Sequence, residues 1–175
     1  MILKRIPVGQ LLANCYLFGD ADTKDIVVMD PGDEAERIIS YINDKGLTVK
    51  HIAITHRHFD HVGAVAALEK VYNAPVVEKN FSVGKHDFQI IKTPGHSPDG
   101  VCYKTGKIIF TGDTLFYGTV GRYDFEGGDY GKLVESVNML LEFSDDTIIY
   151  PGHGMSTTIG KEKLNNPFAT IKGDK

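Results

Sequence analysis

The first half of the chain alternates short apolar runs with stretches of helical periodicity. Residues 3–18 predict a pair of strands, and the apolar run 25–29 predicts a buried strand. That strand ends at Asp30-Pro31-Gly32, since proline cannot extend a ladder and glycine permits a tight turn. Apolar residues at helical spacing then predict a helix with Asp33 as N-cap and Gly46 as its left-handed C-cap residue. The remaining elements of this half are predicted at 49–55 (strand), 62–72 (helix) and 75–78 (strand).

The second half is richer in predicted strands. The pattern predicts strands at 88–93, 101–103, 107–111 and 147–150, and helices at 133–143 and 161–165. Strands that first alternate with helices and then cluster favour an α/β layered fold over an all-β barrel. The length suits one domain, so residues 1–175 are expected to form a single domain.

Composition and charge exclude several classes of protein. The net charge is −4 and there is no run of Lys or Arg, so a nucleic-acid partner is not expected. No apolar run reaches the ~18 residues of a membrane span, and the first twelve residues are not expected to act as a signal peptide. A cytoplasmic location without a membrane partner is therefore expected. Cys15 and Cys102 lie among apolar residues and are expected to be buried, reduced thiols.

The strongest chemical signal is the segment Thr55-His56-Arg57-His58-Phe59-Asp60-His61. It follows a predicted strand and precedes a predicted helix. A chain that leaves a strand can turn so that His56 and His58 face one point. Asp60 and His61 then lie at the helix start and can face a neighbouring point, where the helix N-terminus favours the negative charge of Asp60.

Three further segments share one pattern, in which a strand runs into a glycine turn and then into a ligand-type side chain. The residues concerned are His96 after Pro94-Gly95, Asp113 after Gly112, and His153 after Pro151-Gly152. Glycine lets the backbone bend sharply where a strand edge meets a pocket. Because α/β folds gather ligands at strand ends, the four segments predict one shared site.

The donors suffice for two metal ions. His56, His58 and His96 can hold one ion, Asp60, His61 and His153 a second, and Asp113 can bridge them. Imidazole and carboxylate donors suit zinc, and also iron or manganese. Two divalent ions would lower the pKa of bound water toward ~7, which supplies hydroxide for hydrolysis at neutral pH.

Each part has a plainer interpretation. His96 or His153 alone would more often be structural, and Asp113 could cap a helix. The combination of all four segments, each after a strand, favours the metal site. His51 and His86 are left over and are interpreted as surface or strand residues.

The sequence resembles the metallo-β-lactamase superfamily. Residues His56 to His61 match its H-x-H-x-D-H motif, and His96, Asp113 and His153 match its later motifs in order. Asp30-Pro31-Gly32 matches an early turn of the family. The resemblance implies a four-layer αββα sandwich with two metals at one edge between its sheets. Plausible supporting partners for the metal-bound histidines are Asp30 and Thr55.

Within that superfamily the chain looks most like short, single-domain members of the glyoxalase II-like (hydroxyacylglutathione hydrolase-like) branch. The matching segments are 93–100, 110–116, 151–154 and the ending Asn166-Pro167-Phe168. Asp113 argues against the antibiotic-degrading members, many of which carry cysteine there. Arg122 stands where that branch carries a basic residue for a substrate carboxylate, and Tyr123 and Asp124 are weaker candidates. Full-length glyoxalase II enzymes also carry a C-terminal helical domain that this sequence does not include.

The resemblance implies hydrolysis of an acyl thioester such as S-lactoylglutathione by a metal-bridging hydroxide. Asp60 and Asp113 are the expected catalytic carboxylates, while Arg122 and Tyr123 are expected to bind an anionic small-molecule substrate. Three alternatives stay open. They are a lactone or ester hydrolase, a mononuclear-iron persulfide (sulfur) dioxygenase, and a binding domain with a relic site.

Overall fold

The computed structural model describes residues 1–169, and the chain divides into two compact units, residues 1–90 and 91–175. Within the described residues, no helix is long and apolar enough to cross a membrane. The prediction of one hydrolase domain over 1–175 stays a prediction.

The first unit is built on a four-stranded sheet in the order β1-β2-β3-β4. Strands β1 to β3 are antiparallel neighbours, whereas β3 and β4 run parallel. The strands are β1 (Ile2–Val8), β2 (Ala13–Gly19), β3 (Asp25–Met29) and β4 (Thr48–Ala53), followed by the β5 (Phe81–Val83) and β6 (His86–Lys92) hairpin. The helices are α1 (Ala35–Asp44), α2 (Phe59–Val62) and α3 (Val65–Tyr72).

One apolar cluster joins this sheet to its helices. Ile38 and Ile42 of α1 and Leu68 of α3 are completely buried in the same cluster as Leu17 of β2 and Val28 of β3. Every residue of β2 is buried, because β1 and β3 flank it on both edges. The ends of β3 and β4, where the candidate residues begin, therefore start from a rigid, close-packed support.

The second unit contains a sheet in which β7, β8, β11 and β12 are neighbours in that order. Strands β8 and β11 run parallel, and the other two pairs are antiparallel. The strands are β7 (Val101–Thr105), β8 (Ile108–Gly112), β9 (Leu115–Phe116), β10 (Thr119–Val120), β11 (Ile148–Pro151) and β12 (Thr157–Thr158), with β9 and β10 forming a separate hairpin. The helices are α4 (Tyr130–Leu140) and α5 (Ile159–Asn165).

Helix α4 covers the core of this unit with one face. Leu133, Val137 and Leu140 recur at helical spacing and are completely buried against Ile109 and Ile149. Asp129 caps the helix by accepting a hydrogen bond from Lys132 N at 3.0 Å. Both cysteines of the chain are buried free thiols, as predicted, and burial raises the pKa of Cys15.

All four predicted helix starts differ from the structure. Helix α4 begins at Tyr130 rather than at residue 133, and α5 begins at Ile159 rather than at residue 161. The N-cap of α1 is Glu34 rather than Asp33, because Glu34 takes a left-handed conformation with φ of 51° and Asp33 Oδ1 accepts from its N–H at 2.6 Å. The helix predicted at 62–72 is divided into α2 and α3 near Gly63. A Cβ on Gly63 would lie 2.3 Å from Gly32 O, so the backbone here follows a close approach that periodicity does not reveal.

The strand predicted at 75–78 is wrong. That segment forms only an isolated bridge between Val76 and Ile52, held by hydrogen bonds from Ile52 N to Pro75 O and from Val77 N to Ile52 O. The strands β5, β9, β10 and β12 were not predicted. Each has only two or three residues, too few for an alternating pattern to be recognised.

We expect Gly95→Ala to destabilise the protein more than Gly106→Ala. Both glycines have positive φ, of 137° and 51° respectively, but only a Cβ on Gly95 would meet backbone, 2.3 Å from Leu133 Cα. Backbone strain alone should cost about 1 kcal/mol for Gly106→Ala, whereas displacement of α4 should raise the cost for Gly95→Ala to about 3 kcal/mol. Urea denaturation measures both, and equal losses would show that the close contact with Leu133 contributes nothing.

Candidate metal-binding residues

The histidine-rich segment of the first unit follows the end of β4. His56 and His61 are buried, while His58 is partly exposed and is the N-cap of α2. The ring centroid of His56 lies 4.6 Å from that of His58 and 4.3 Å from that of His61. The predicted grouping of these imidazoles is thus found within this unit, because α2 turns the chain back directly after His58.

The buried carboxylate of Asp30 contacts this group. Its Oδ1 accepts a hydrogen bond from Thr55 N and its Oδ2 accepts one from the Thr55 hydroxyl, both at 2.7 Å. Asp30 Oδ2 also lies 3.2 Å from His61 Nδ1. Asp30 follows β3 with a left-handed φ of 48°, which aspartate tolerates better than most residues. One carboxylate therefore links the end of β3 to the end of β4 and to α2.

These contacts indicate which imidazole nitrogens carry protons. The Thr55 hydroxyl donates its only hydrogen to Asp30, so its 3.1 Å contact with His56 Nδ1 requires that nitrogen to be the donor. The 3.2 Å approach of Asp30 Oδ2 to His61 Nδ1 likewise favours a proton on that nitrogen. The inferred tautomers leave a lone pair on Nε2 of both histidines, the form in which imidazole binds metals.

The second unit presents two candidate ligands at the ends of adjacent parallel strands. Gly112 of β8 is opposite Pro151 of β11, and Gly152 N donates to Gly112 O at 2.8 Å. Asp113 and His153 follow these strands and lie at the same edge. Asp113 Oδ2 is 3.6 Å from His153 Nε2, and it is 3.5 Å from Nε2 of the third candidate, His96.

Two backbone groups after β10 support His96 and Asp113. Arg122 O lies 2.6 Å from His96 Nδ1, which makes that nitrogen the donor and leaves the lone pair on Nε2. A Cβ on Gly121 would lie 2.0 Å from Asp113 O and 2.9 Å from His96 Nδ1, so only glycine fits there. The sequence analysis did not identify Gly121, because its role depends on a contact that no local sequence pattern encodes.

The nitrogen–oxygen distances within each unit fit metal coordination better than hydrogen bonding. His61 Nε2 lies 3.6 Å from Asp60 Oδ2, and His96 Nε2 lies 3.5 Å from Asp113 Oδ2. Such separations are too long for good hydrogen bonds. Two ligand atoms bound at 2.0–2.2 Å to one tetrahedral ion would be about 3.4 Å apart. In each case the lone pair of an imidazole nitrogen faces a carboxylate oxygen. A cation bound between the two atoms would attract both.

The two predicted substrate-binding residues lie on the exposed segment after β10. The Arg122 guanidinium donates two hydrogen bonds of 2.9 Å to the Asp124 carboxylate and lies 4.1 Å from the ring centroid of Phe125. This contact lowers the pKa of Asp124 and raises that of Arg122. The Tyr123 ring lies 5.0 Å from that of Tyr130. Asp124 thus already neutralises the charge that was predicted to attract substrate.

The two histidines excluded from the predicted site lie on strands, as expected. His51 of β4 and His86 of β6 are half-buried, and each packs its ring edge-on against a phenylalanine at 5.0 Å. Burial lowers the pKa of His51. Their contacts are those of packing residues.

A cavity in the first unit, which sequence reasoning missed, borders Asp60. Its volume is about 500 Å³, and its lining includes Gln10, Leu11, Gly32, Phe59 and Asp60. Leu11 and Phe59 are strongly exposed apolar side chains. Exposed apolar residues next to the H-x-H-x-D-H motif were the signal that could have indicated it.

The chain matches a known family over most of its length. The family model of the metallo-β-lactamase superfamily matches residues 8–80 and 79–153. The chain is 35% identical over 212 aligned positions to hydroxyacylglutathione hydrolase GloC of Haemophilus influenzae, covering 98% of this chain and 100% of that protein. That relative supports the predicted resemblance to the glyoxalase II-like branch.

Three solved structures share its fold. BLEG-1, a B3 metallo-β-lactamase, has a TM-score of 0.91 and 34% identity, covering 97% of this chain and 100% of that chain. ETHE1 from Myxococcus xanthus has a TM-score of 0.89 and 32% identity, covering 97% of this chain and 85% of that chain. TTHA1623 in a di-iron-bound form has a TM-score of 0.85 and 34% identity, covering 94% of this chain and 99% of that chain.

These similarities confirm the predicted fold class, an α/β sandwich of the metallo-β-lactamase type. Residues 8–153, which carry the family match, include every candidate metal ligand of both units. By the match of the family model and the full-length similarity to GloC, the chain belongs to the metallo-β-lactamase superfamily.

Proposed function

We propose that this member of a superfamily of metal-dependent hydrolases is a binuclear acyl-thioester hydrolase of the hydroxyacylglutathione type. The observation that carries the proposal is the approach of imidazole Nε2 atoms to carboxylate oxygens at 3.5 and 3.6 Å. The superfamily binds divalent metals, and a relative that is covered over its whole length is named a hydroxyacylglutathione hydrolase.

The proposed ligands are those that the motifs predict. His56, His58 and His96 would hold one ion, Asp60, His61 and His153 would hold the second, and Asp113 would bind both. Nitrogen and oxygen donors of this kind suit zinc, iron and manganese. We propose zinc, while the di-iron form of TTHA1623 makes iron the main alternative.

The chemistry divides between the metals and the chain. When bound, two divalent ions would make hydroxide available near neutral pH and stabilise an oxyanion. Asp30 and Thr55 hold the Nδ1 sides of His61 and His56, which orients their Nε2 atoms. Asp60 and Asp113, the predicted catalytic carboxylates, would place negative charge beside the cations, and Asp113 would orient the attacking water.

The substrate that we propose is a small anionic thioester such as S-lactoylglutathione. The cavity beside Asp60 offers apolar lining for an acyl group, and Arg122 is the candidate anchor for a carboxylate, with Tyr123 beside it. The chain covers the full length of GloC, and this supports carrying the substrate class in that protein's name over to the proposal. The net charge of −4 disfavours a nucleic-acid partner. We also propose that the protein is cytoplasmic.

A substrate panel separates the proposed reaction from its rivals. Turnover of S-lactoylglutathione would be compared with turnover of a lactone, an aryl ester and a β-lactam, the last because BLEG-1 bears the name of a β-lactamase. Oxygen uptake on glutathione persulfide by iron-loaded, but not zinc-loaded, protein would indicate a dioxygenase instead. Thioester turnover well above the other rates supports the proposal.

We expect His58→Ala to lower both metal content and thioesterase activity. Wild-type protein should hold close to two metal ions per chain by elemental analysis. Loss of a ligand should lower the rate by at least about 100-fold, since even the loss of an outer partner costs 10–100-fold. His51→Ala is the matched control, because His51 packs on Phe81 outside the candidate ligands. Full activity and metal content in His58→Ala would contradict the ligand assignment.

We expect Arg122→Ala to raise KM for an anionic thioester by up to about tenfold without changing metal content, because the substrate carboxylate would lose a charge-assisted contact that lies outside the candidate ligands. Asp124→Asn should lower KM, because the Arg122 guanidinium would lose the carboxylate that now binds it at 2.9 Å. Steady-state kinetics with a neutral thioester provide the control, because neither substitution should change KM for that substrate. If KM stays the same for both variants and both substrates, Arg122 is a surface residue.

A further inference from the structure

The β9–β10 hairpin and the residues directly flanking it lie next to all three candidate ligands of the second unit. Asp113 precedes its first strand. The ring of Phe116 in β9 lies edge-on to that of His153, with 6.1 Å between centroids. After β10, Arg122 O accepts the Nδ1–H of His96 at 2.6 Å. A displacement of this hairpin would therefore move the surroundings of His96, Asp113 and His153 together.

The hairpin is short and needs support from elsewhere. Its strands have two residues each, paired Thr119 with Phe116 and Val120 with Leu115. A two-stranded hairpin is marginally stable at best by itself, even when it is longer than this one. The segment that positions the candidate ligands must therefore be held by other elements of the unit.

Helix α5 (Ile159–Asn165) and its C-cap residue Asn166 supply part of that support through two side chains. Glu162 Oε2 accepts a hydrogen bond from Gly118 N, in the hairpin turn, at 2.8 Å. Asn166 Nδ2 donates to Thr119 O at 3.0 Å and to Glu162 Oε2 at 2.8 Å. Thr157 Oγ1 donates to Glu162 Oε1 at 2.6 Å. Both carboxylate oxygens are thus used, and the hairpin backbone is held at two successive residues.

This arrangement is buried, although a carboxylate is costly to bury. Glu162 is 1% exposed and Asn166 is 5% exposed, and the donors that Glu162 accepts from in these bonds are neutral. Burying a charged group costs far more than burying an apolar one unless its hydrogen bonds are satisfied. Ile159 already supplies α5 with a completely buried apolar anchor. The polar pair therefore serves the hairpin rather than the attachment of α5.

We propose that Glu162 and Asn166 are positioning residues, which act through the β9–β10 hairpin on His96, Asp113 and His153. This inference rests on the proposed function in one respect, that these three residues bind metal. It assigns to α5 a role in metal affinity that the ligand motifs do not contain.

The test compares Glu162→Ala and Asn166→Ala with a rescue and a control. In Glu162→Gln, the amide oxygen can accept from Gly118 N and Asn166 Nδ2 while its NH2 group donates to Thr157 Oγ1, so the network survives. Thr147→Val is the matched control, since it removes a 3.0 Å hydrogen bond to Ser144 from a residue that is 2% exposed at the other end of β11. Each variant is measured for thermal stability, amide exchange of residues 113–122, and zinc affinity by competition with a chelator.

We expect faster exchange of residues 113–122 and about tenfold weaker zinc binding in both alanine variants, as loss of an outer partner costs 10–100-fold in affinity. Glu162→Gln should restore both values, and Thr147→Val should lower stability alone. If Glu162→Ala does not fold, Asn166→Ala carries the same comparison, because it removes the hydrogen bond to Thr119 O.

Unchanged zinc affinity in folded alanine variants would overturn the proposal, and so would affinity losses that Thr147→Val shares. A lack of activity on the proposed substrate would be a separate result. Wild-type protein that binds two zinc ions without hydrolysing thioesters would reject the thioesterase, while the affinities of the variants would still decide the role of Glu162 and Asn166.

Discussion

The candidate site depends on one constraint, which is that imidazole nitrogens and carboxylate oxygens are held close together. In each unit an imidazole Nε2 that carries a lone pair faces a carboxylate oxygen, His61 toward Asp60 and His96 toward Asp113. With the inferred tautomers, folding has to hold two acceptor atoms together, and a bound cation would turn their approach into attraction. The chain does this by fixing the opposite side of each ring, through Asp30, Thr55 and the Arg122 carbonyl. The rings are thus oriented before any ion binds, which favours tight coordination.

Close backbone approaches provide the second part of this support. A Cβ on Gly32 would lie 1.6 Å from Asp60 O, and one on Gly121 would lie 2.0 Å from Asp113 O. Each of these glycines brings another segment against the backbone of a candidate carboxylate. Glycine is needed at such positions for its lack of a side chain rather than for a turn, so the glycines around the motifs stabilise the positions of the carboxylates themselves.

The candidate metal ligands and the candidate determinants of substrate lie on different elements. The ligands follow the ends of strands in rigid, close-packed units. The candidate determinants of substrate lie on exposed segments, where Asp124 competes for Arg122 and where Leu11 and Phe59 line the cavity beside Asp60. Structures with TM-scores of 0.85 to 0.91 to this chain carry different names, in line with the rule that one fold can host several functions.

The sequence by itself determined the order of the main elements, the superfamily and the candidate ligands, because apolar periodicity and the spacing of His56 to His61 are local properties. It did not determine the division of α2 from α3, the N-cap of α1 or the very short strands. Those depend on close contacts such as that between Gly63 and Gly32, or on pairing partners distant in sequence. Only the tertiary structure decided that Glu162 holds the hairpin turn at Gly118. Glu162 and Gly118 are 44 positions apart, and a hydrogen bond across that separation exists only after the chain has folded.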